Sequence, residues 1–200
     1  MTIEDNNKPG KEDLPIIPFE SQQIWEDWLE ENHLDTNGVW IQFFKKNSGI
    51  ASVTYAEAVD SALCYGWIDA QLKSIDELSY KQHYTPRRAK SIWSKRNIEN
   101  IARLTLEARM KAAGLKQVEA AKADGRWQQA YDSPQNMTIP EEFARKLKQN
   151  KTASAFYESL NKTNKYAICW RIQTAKRPET KEKRINEIIE MLERGEKFHL

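Results

Sequence analysis

Apolar positions first take on a regular spacing after Ser21, where Ile24, Trp25, Trp28 and Leu29 fall on one helical stripe behind a residue suited to capping. Residues 1–14 are polar, charged and poor in apolar anchors, which predicts a loose tail. Pro15 and Pro18 lead from that tail into the helix. Asn37-Gly38 then marks a turn, and 39–46 (VWIQFFKK) reads as a strand. Trp40 and Phe44 lie opposite Val39, Ile41 and Phe43 on that strand, so both of its faces are expected to be partly covered. Thr54 and Glu57 form a T-x-x-E box, in which each side chain satisfies the other residue's backbone N–H. The helix it starts carries Tyr55, Ala58, Val59, Ala62 and Leu63 on one side, and Gly66 is placed to end it. A second strand follows over about 67–74, a turn at Asp76-Glu77, and a third strand over 79–85.

Beyond Pro86 the period becomes helical. Ser91 or Ser94 caps a helix that carries Ile98, Ile101, Ala102 and Leu104 as far as Met110, and Gly114 interrupts it. A short helix over 115–124 stops at Gly125, and 126–137 is a loop packed down by Trp127 and Tyr131. Thr138 and Glu141 bracket Pro140 in a second T-x-x-E box ahead of Phe143 and Leu147. Further helices are predicted over 152–160 and 164–174. Pro178 opens the last one, whose Ile185, Ile188, Ile189 and Leu192 stand at i, i+3, i+4 and i+7 before Gly195. The fold class is α+β: a small, mostly antiparallel sheet in the first half with helices packed on it, and a helical second half. The expected organisation is an α+β region over 15–90 and a helical region over 91–200, packed as one unit.

Composition sharpens this picture mainly through charge. The net charge of +2 conceals an acidic start, with ten Asp/Glu against two Lys over residues 1–36, and a basic remainder. Such asymmetry serves docking within the chain as readily as binding of a partner. Two cysteines, Cys64 and Cys169, are too few for a disulfide framework. The acidic first residues lack the basic and apolar regions of a signal peptide, and no apolar run reaches membrane-spanning length. A reducing cytoplasm is the expected location.

The stretch from Glu77 to Glu99 concentrates the candidate chemistry. It holds six Lys/Arg and one His with no carboxylate between its ends, interleaved with Tyr80, Tyr84, Ile92 and Trp93. Arginine presents a planar fork of donors that matches carboxylates and phosphates. Arg87 and Arg88, with Lys90 and with Ser94 at a helix start, therefore form a candidate anion site. The competing reading pairs one arginine with Asp69 or the acidic N-terminal segment and leaves the other solvated. Tyr80, Tyr84 and Trp93 are candidates to stack on a planar ligand, although rings on a small sheet usually belong to the core. His83 is read as part of a polar strand face rather than as a general base. A second basic run, Lys176-Arg177-Pro178, is followed by Glu179, which already complements the helix dipole, so a solvated basic face is the better reading. Cys64 stands near a helix C-terminus, where the dipole favours the neutral thiol, so it is read as structural, as is Cys169. No histidine shows metal-ligand spacing, and neither a glycine-rich phosphate loop nor a nucleophile elbow occurs. No metal and no cofactor is expected.

Several segments resemble the YdeI/OmpD-associated family of bacterial proteins, also described as bacteriocin-protection proteins. The pieces are YAEAVDSALCYGWIDAQLKSID from Tyr55, SYKQHYTPRRAKSIWSKRN from Ser79, DGRW from Asp124 and KYAICWRIQTAKRPETKEKRI from Lys165. The central pattern is CYGWID followed by TPRR, W-S and N, and it places Trp67, Asp69, Trp93, Ser94 and Asn97 beside the arginine pair as candidate ligand-binding residues. The resemblance implies a link to envelope stress or tolerance of cationic peptides, and it supplies no catalytic residues.

Three functional classes follow. The first is a cytoplasmic accessory or binding protein with a small anionic ligand or a protein partner. The second is a nucleic-acid binder using the basic–aromatic surface, disfavoured by the small net charge and the absence of a recognised motif. The third is an enzyme acting on a small anionic substrate around Trp67, Asp69, Arg87 and Arg88.

Overall fold

A computed structural model of the chain describes residues 13–134 and 136–199, so nearly all of the expected tail lies outside the described residues. The chain divides into two compact units. One comprises residues up to Ser91 together with Glu99–Trp127, and the other Ile92–Ile98 together with Gln128 onward.

The first unit is built on a four-stranded mixed sheet with the order β1-β2-β4-β3. Its strands are β1 (Ile16–Pro18), β2 (Val39–Phe44), β3 (Trp67–Ser74) and β4 (Ser79–Pro86). β2–β4 and β3–β4 pair antiparallel, and β1 adds a short parallel edge to β2. The sequence pattern does not reveal β1, because three residues ending in a proline carry no readable period. The β3–β4 hairpin closes on Asp76, whose Oδ1 accepts from the N–H groups of Leu78 and Ser79 at 2.8 and 2.7 Å and from the Ser79 hydroxyl at 2.9 Å.

Helices α1 (Gln22–Asn32) and α2 (Tyr55–Cys64) cover one face of the sheet. Ser21 caps α1 through the Ile24 N–H. In the α2 box, Thr54 Oγ1 accepts from the Glu57 N–H at 3.3 Å while a Glu57 oxygen accepts from the Thr54 N–H at 2.8 Å. Thr54→Ala is expected to lower stability by about 1 kcal/mol, the usual worth of such a cap, as a shift in the urea midpoint. An unchanged midpoint would show that packing alone fixes the start of α2.

The core of this unit is aromatic. Trp25 lies 5.3 Å from Trp28, 4.9 Å from Phe19, 6.3 Å from Trp67 and 5.7 Å from Tyr84, mostly in tilted or edge-to-face pairs. Both faces of β2 are covered, as its sequence suggests: Val39, Trp40 and Ile41 are all fully buried.

Gly66 ends α2 with φ +75°, a left-handed conformation that suits glycine. Gly114 plays a different part from the one expected. It lies inside α4 (Ala112–Ala123) rather than breaking it, and α4 closes against the C-terminal end of α2. Helix α3 (Lys95–Leu106) is capped by Ser94, which accepts the Asn97 N–H at 3.1 Å. It stops short of Met110 because Ala108 turns the chain with φ +54°.

Among the described residues of the second unit, helices α5 (Glu141–Gln149), α6 (Lys151–Ser159), α7 (Lys162–Gln173) and α8 (Pro178–Glu193) follow. Their shared core comprises Phe143, Leu147, Tyr157, Ile168, Ile172, Ile185, Ile188 and Leu192 among others. The expected second capping box does not form. Pro140 occupies the N-cap position of α5 with no side-chain bond, which leaves Thr138 two residues too early. Asn150 and Asn161 cap α6 and α7 instead.

Candidate functional site

The end of β4 delivers the basic pair to a cleft. A concavity of about 380 Å³ is lined by Leu14, Asn37, His83, Thr85, Pro86, Arg87 and Arg88, all of the first unit. Strand alternation brings His83 and Thr85 to the sheet face opposite the aromatic core, because Tyr84 between them points into it. Gly38, beside the cleft, is there for room: a Cβ would stand 2.6 Å from His83 Nε2 and 2.7 Å from the Tyr84 carbonyl oxygen. The Thr85 hydroxyl donates to the Asn37 carbonyl at 3.0 Å and ties the turn before β2 to the end of β4.

The loop that carries the arginines is held at several points. The Arg87 N–H donates to the Gly66 carbonyl at 3.0 Å. The Arg88 N–H donates to Ser91 Oγ at 3.0 Å, and the Ser91 N–H returns to the Arg88 carbonyl at 2.9 Å. Arg126 anchors the far side of this turn, with one Nη donating to the Ser91 carbonyl at 2.9 Å and its Nε to Asp124 at 2.7 Å. His83 is 7 % exposed and Arg87 6 %, while Arg88 is exposed. A cation held below the surface acts through a lower dielectric than a solvated lysine, so its pull on an arriving anion is stronger. Two planar guanidinium groups, an imidazole and an amide on one cleft form a donor set suited to a carboxylate or phosphate.

The remaining candidates are placed differently. Trp67 is 1 % exposed and its indole N–H donates to the His33 carbonyl at 3.2 Å. Tyr84 is fully buried, and burial followed by the nearby Asp69 charge pushes its phenol far above the usual range. Tyr80 is partly buried and stacks on Phe43 at 5.2 Å with an 11° interplanar angle. These rings hold the core together and do not line the cleft. Asp69 Oδ2 accepts from the Tyr55 hydroxyl at 2.9 Å and Gln82 Nε2 at 3.0 Å. Lys90 is exposed and is not among the lining residues. Trp93, Ser94 and Asn97 belong to the second unit. There Ser94 bridges to Tyr131, Trp93 is buried, and Asn97 is the residue whose N–H Ser94 caps. Sequence reasoning did not single out Asn37 or Arg126. Arg126 carried a signal as the arginine of DGRW, where an acid two residues earlier suits a local fork.

Neither cysteine offers an activated nucleophile. Burial pushes the Cys64 thiol up to about 11, with Arg109 opposing it, and burial likewise raises Cys169. Both are buried and free. A thiol-specific disulfide reagent at pH 8 is expected to leave both unlabelled in the native protein and to label both in denaturant. Rapid native labelling of Cys64 would revive it as a reactive group. No group of three or more His, Cys, Asp or Glu suited to a metal occurs among the described residues, and no described helix is long and apolar enough to cross a membrane.

Two family models match the chain. Residues 17–117 match the model described as domain of unknown function DUF8412, and residues 136–195 match the one described as "Bacteriocin-protection, YdeI or OmpD-Associated". Of the segments that resemble the latter family, the one starting at Lys165 lies within its matched range, while those starting at Tyr55 and Ser79 lie within the former. No curated protein and no solved structure matches.

Proposed function

We propose that this chain, which belongs to the DUF8412 family through residues 17–117 and carries a YdeI/OmpD-associated segment at 136–195, is an accessory protein that binds a small oxyanion. The ligand is a carboxylate or phosphate taken into the cleft of His83, Arg87 and Arg88. Its cellular role, proposed from the description of the second family, is in tolerance of bacteriocins or cationic peptides, exercised from the cytoplasm. The observation that carries the binding reading is the convergence of a buried imidazole and a buried guanidinium with the exposed Arg88 on one cleft. A small ligand is preferred to nucleic acid because Trp67 and Tyr84 lie in the core and give no stacking platform. Trp40, the large ring on the cleft side of the sheet, is itself covered by the ammonium groups of Lys73 and Lys81 at 5.4 and 4.8 Å.

The test is a thermal-shift titration with inorganic phosphate and with citrate, against sodium chloride at matched ionic strength. A ligand that binds only the folded chain raises the midpoint in a saturable way. Arg88→Ala, at an exposed position, is expected to weaken the response about tenfold, the worth of a hydrogen bond to a charged group, and Arg87→Lys to weaken it further by removing the planar fork. A wild-type response to both anions no greater than that to chloride would end the proposal. The cellular role is tested separately, by restoring the wild-type or Arg88→Ala chain to a deletion strain and measuring survival in cationic peptide. Equal survival of the deletion and wild-type strains counts against it.

A further inference from the structure

The second unit carries a larger cleft of different chemistry. It measures about 730 Å³ and lies between the segment around Pro134, Met137 and Ile139 and the junction of α6 with α7. That volume falls within the range of small-molecule sites, and the apolar lining with a few polar groups is the composition such sites show. Tyr157, Tyr166 and Cys169 line its inner wall. Tyr157 is held firmly, 2 % exposed and edge-to-face with Phe143 at 5.6 Å. Among the described residues its hydroxyl meets only Cys169 Sγ, at 3.9 Å, a weak contact that leaves most of its hydrogen-bonding capacity unused.

The charged lining groups come from α6 and α7. Lys165 is committed: its ammonium donates to the Glu158 carbonyl at 3.0 Å, pairs with the Glu158 carboxylate at 3.3 Å and lies 5.3 Å from the centre of the Tyr157 ring. It thereby offsets the one carboxylate among the lining residues. Lys162 also lines the cleft and makes no ion pair among the described residues. It opens α7 beside Thr163, and the N–H groups of these two first-turn residues have no carbonyl within the helix to bond. Asn161 already takes the N–H of Asn164, at 2.9 Å. An uncommitted cation, two unpaired donors and the positive end of the helix dipole therefore border an aromatic-walled space.

We propose that this cleft binds a small aromatic carboxylate, with its ring against Tyr157 and Tyr166 and its carboxylate at Lys162 and the start of α7. This site is independent of the oxyanion cleft in the first unit, and the two take different ligands. The arginine cleft recognises charge, whereas this one requires a flat apolar body as well. Met137 and Ile139 close over the face of the ring, and the Tyr157 hydroxyl meets its edge.

The experiment is an amide-resolved NMR titration of the full chain with 1-naphthoate, beside 1-naphthalenemethanol, which keeps the rings without the charge, and acetate, which keeps the charge without the rings. Saturable naphthoate shifts are expected at residues 137–139 and 157–166, with residues 83–88 unmoved. Lys162→Ala is expected to weaken naphthoate by about fivefold, the upper worth of an exposed ion pair, and to leave naphthalenemethanol unchanged. Ile139→Asp, at a position 43 % exposed and so tolerant of change, is expected to weaken both aromatic probes. The proposal is overturned by any of three results: no saturable shift with naphthoate, shifts centred on 83–88, or naphthoate affinity unaffected by both substitutions. Acetate binding as tightly as naphthoate would also overturn it.

Discussion

Gly114→Ala will lower the melting temperature by about 10 °C, although the same change in an exposed helix normally raises stability. Two effects compete. Alanine gains up to about 1 kcal/mol of helix propensity over glycine. Against that, the added Cβ would stand 2.2 Å from the Cys64 carbonyl oxygen and 2.7 Å from that of Leu63. Both contacts are to backbone atoms, so no side chain can turn aside. The Lys111 N–H also donates to the same Cys64 carbonyl at 3.2 Å, which fixes the end of α2 against α4. Separating the helices costs about 3 kcal/mol or more, and sterics win over propensity. Thermal unfolding followed by circular dichroism gives the sign directly. A midpoint equal to or above wild type would mean that α4 does not lie against α2 at this distance.

Trp67→Ala is expected to cost about 3–5 kcal/mol, enough to leave the first unit marginal. The ring is enclosed by Trp25 at 6.3 Å and Trp28 at 5.9 Å, both edge-on, and its removal opens a cavity the neighbours cannot fill. It also strands the His33 carbonyl that the indole N–H now satisfies. Trp67→Phe keeps a ring and loses chiefly that hydrogen bond, so its cost should be nearer 1 kcal/mol. Guanidinium-chloride midpoints for the two variants separate packing from polar loss. The comparison also bears on function: Trp67→Phe should bind phosphate as wild type does, since the ring takes no part in lining the arginine cleft. Loss of phosphate binding with stability intact would return Trp67 to the site.

The pattern of apolar residues disclosed local structure best where one residue type has one job. The Thr54–Glu57 box, Gly66 behind α2 and Pro178 at the head of α8 each stand where their chemistry requires. The failures were non-local. Gly114 read as a helix break because sequence records the lack of a side chain but not the carbonyl that needs the space. Edge strand β1 exists only through its parallel pairing with β2, across more than twenty intervening residues. The arginine pair after Pro86 stands out in the sequence, and both residues line one cleft in the structure. Its company was not legible, since a basic–aromatic stretch does not say which side of the sheet each residue takes. Strand alternation separates His83 from Tyr84, sending the imidazole to the cleft and the phenol to the core.

The division of the chain into interleaved halves bears on synthesis. Ile92–Ile98 belongs with residues from Gln128 onward, while Glu99–Trp127 returns to the sheet-bearing part. Within the second unit, Tyr131 exchanges backbone bonds with Trp93 and Lys95, and Asp132 pairs with Lys95 at 2.6 Å. A fragment beginning at Gln128 would carry the whole region matched at 136–195 yet lack the short segment those residues clasp. On the ribosome that segment emerges early and waits through almost thirty further residues for its counterpart, so neither half can be completed before translation has passed into the other.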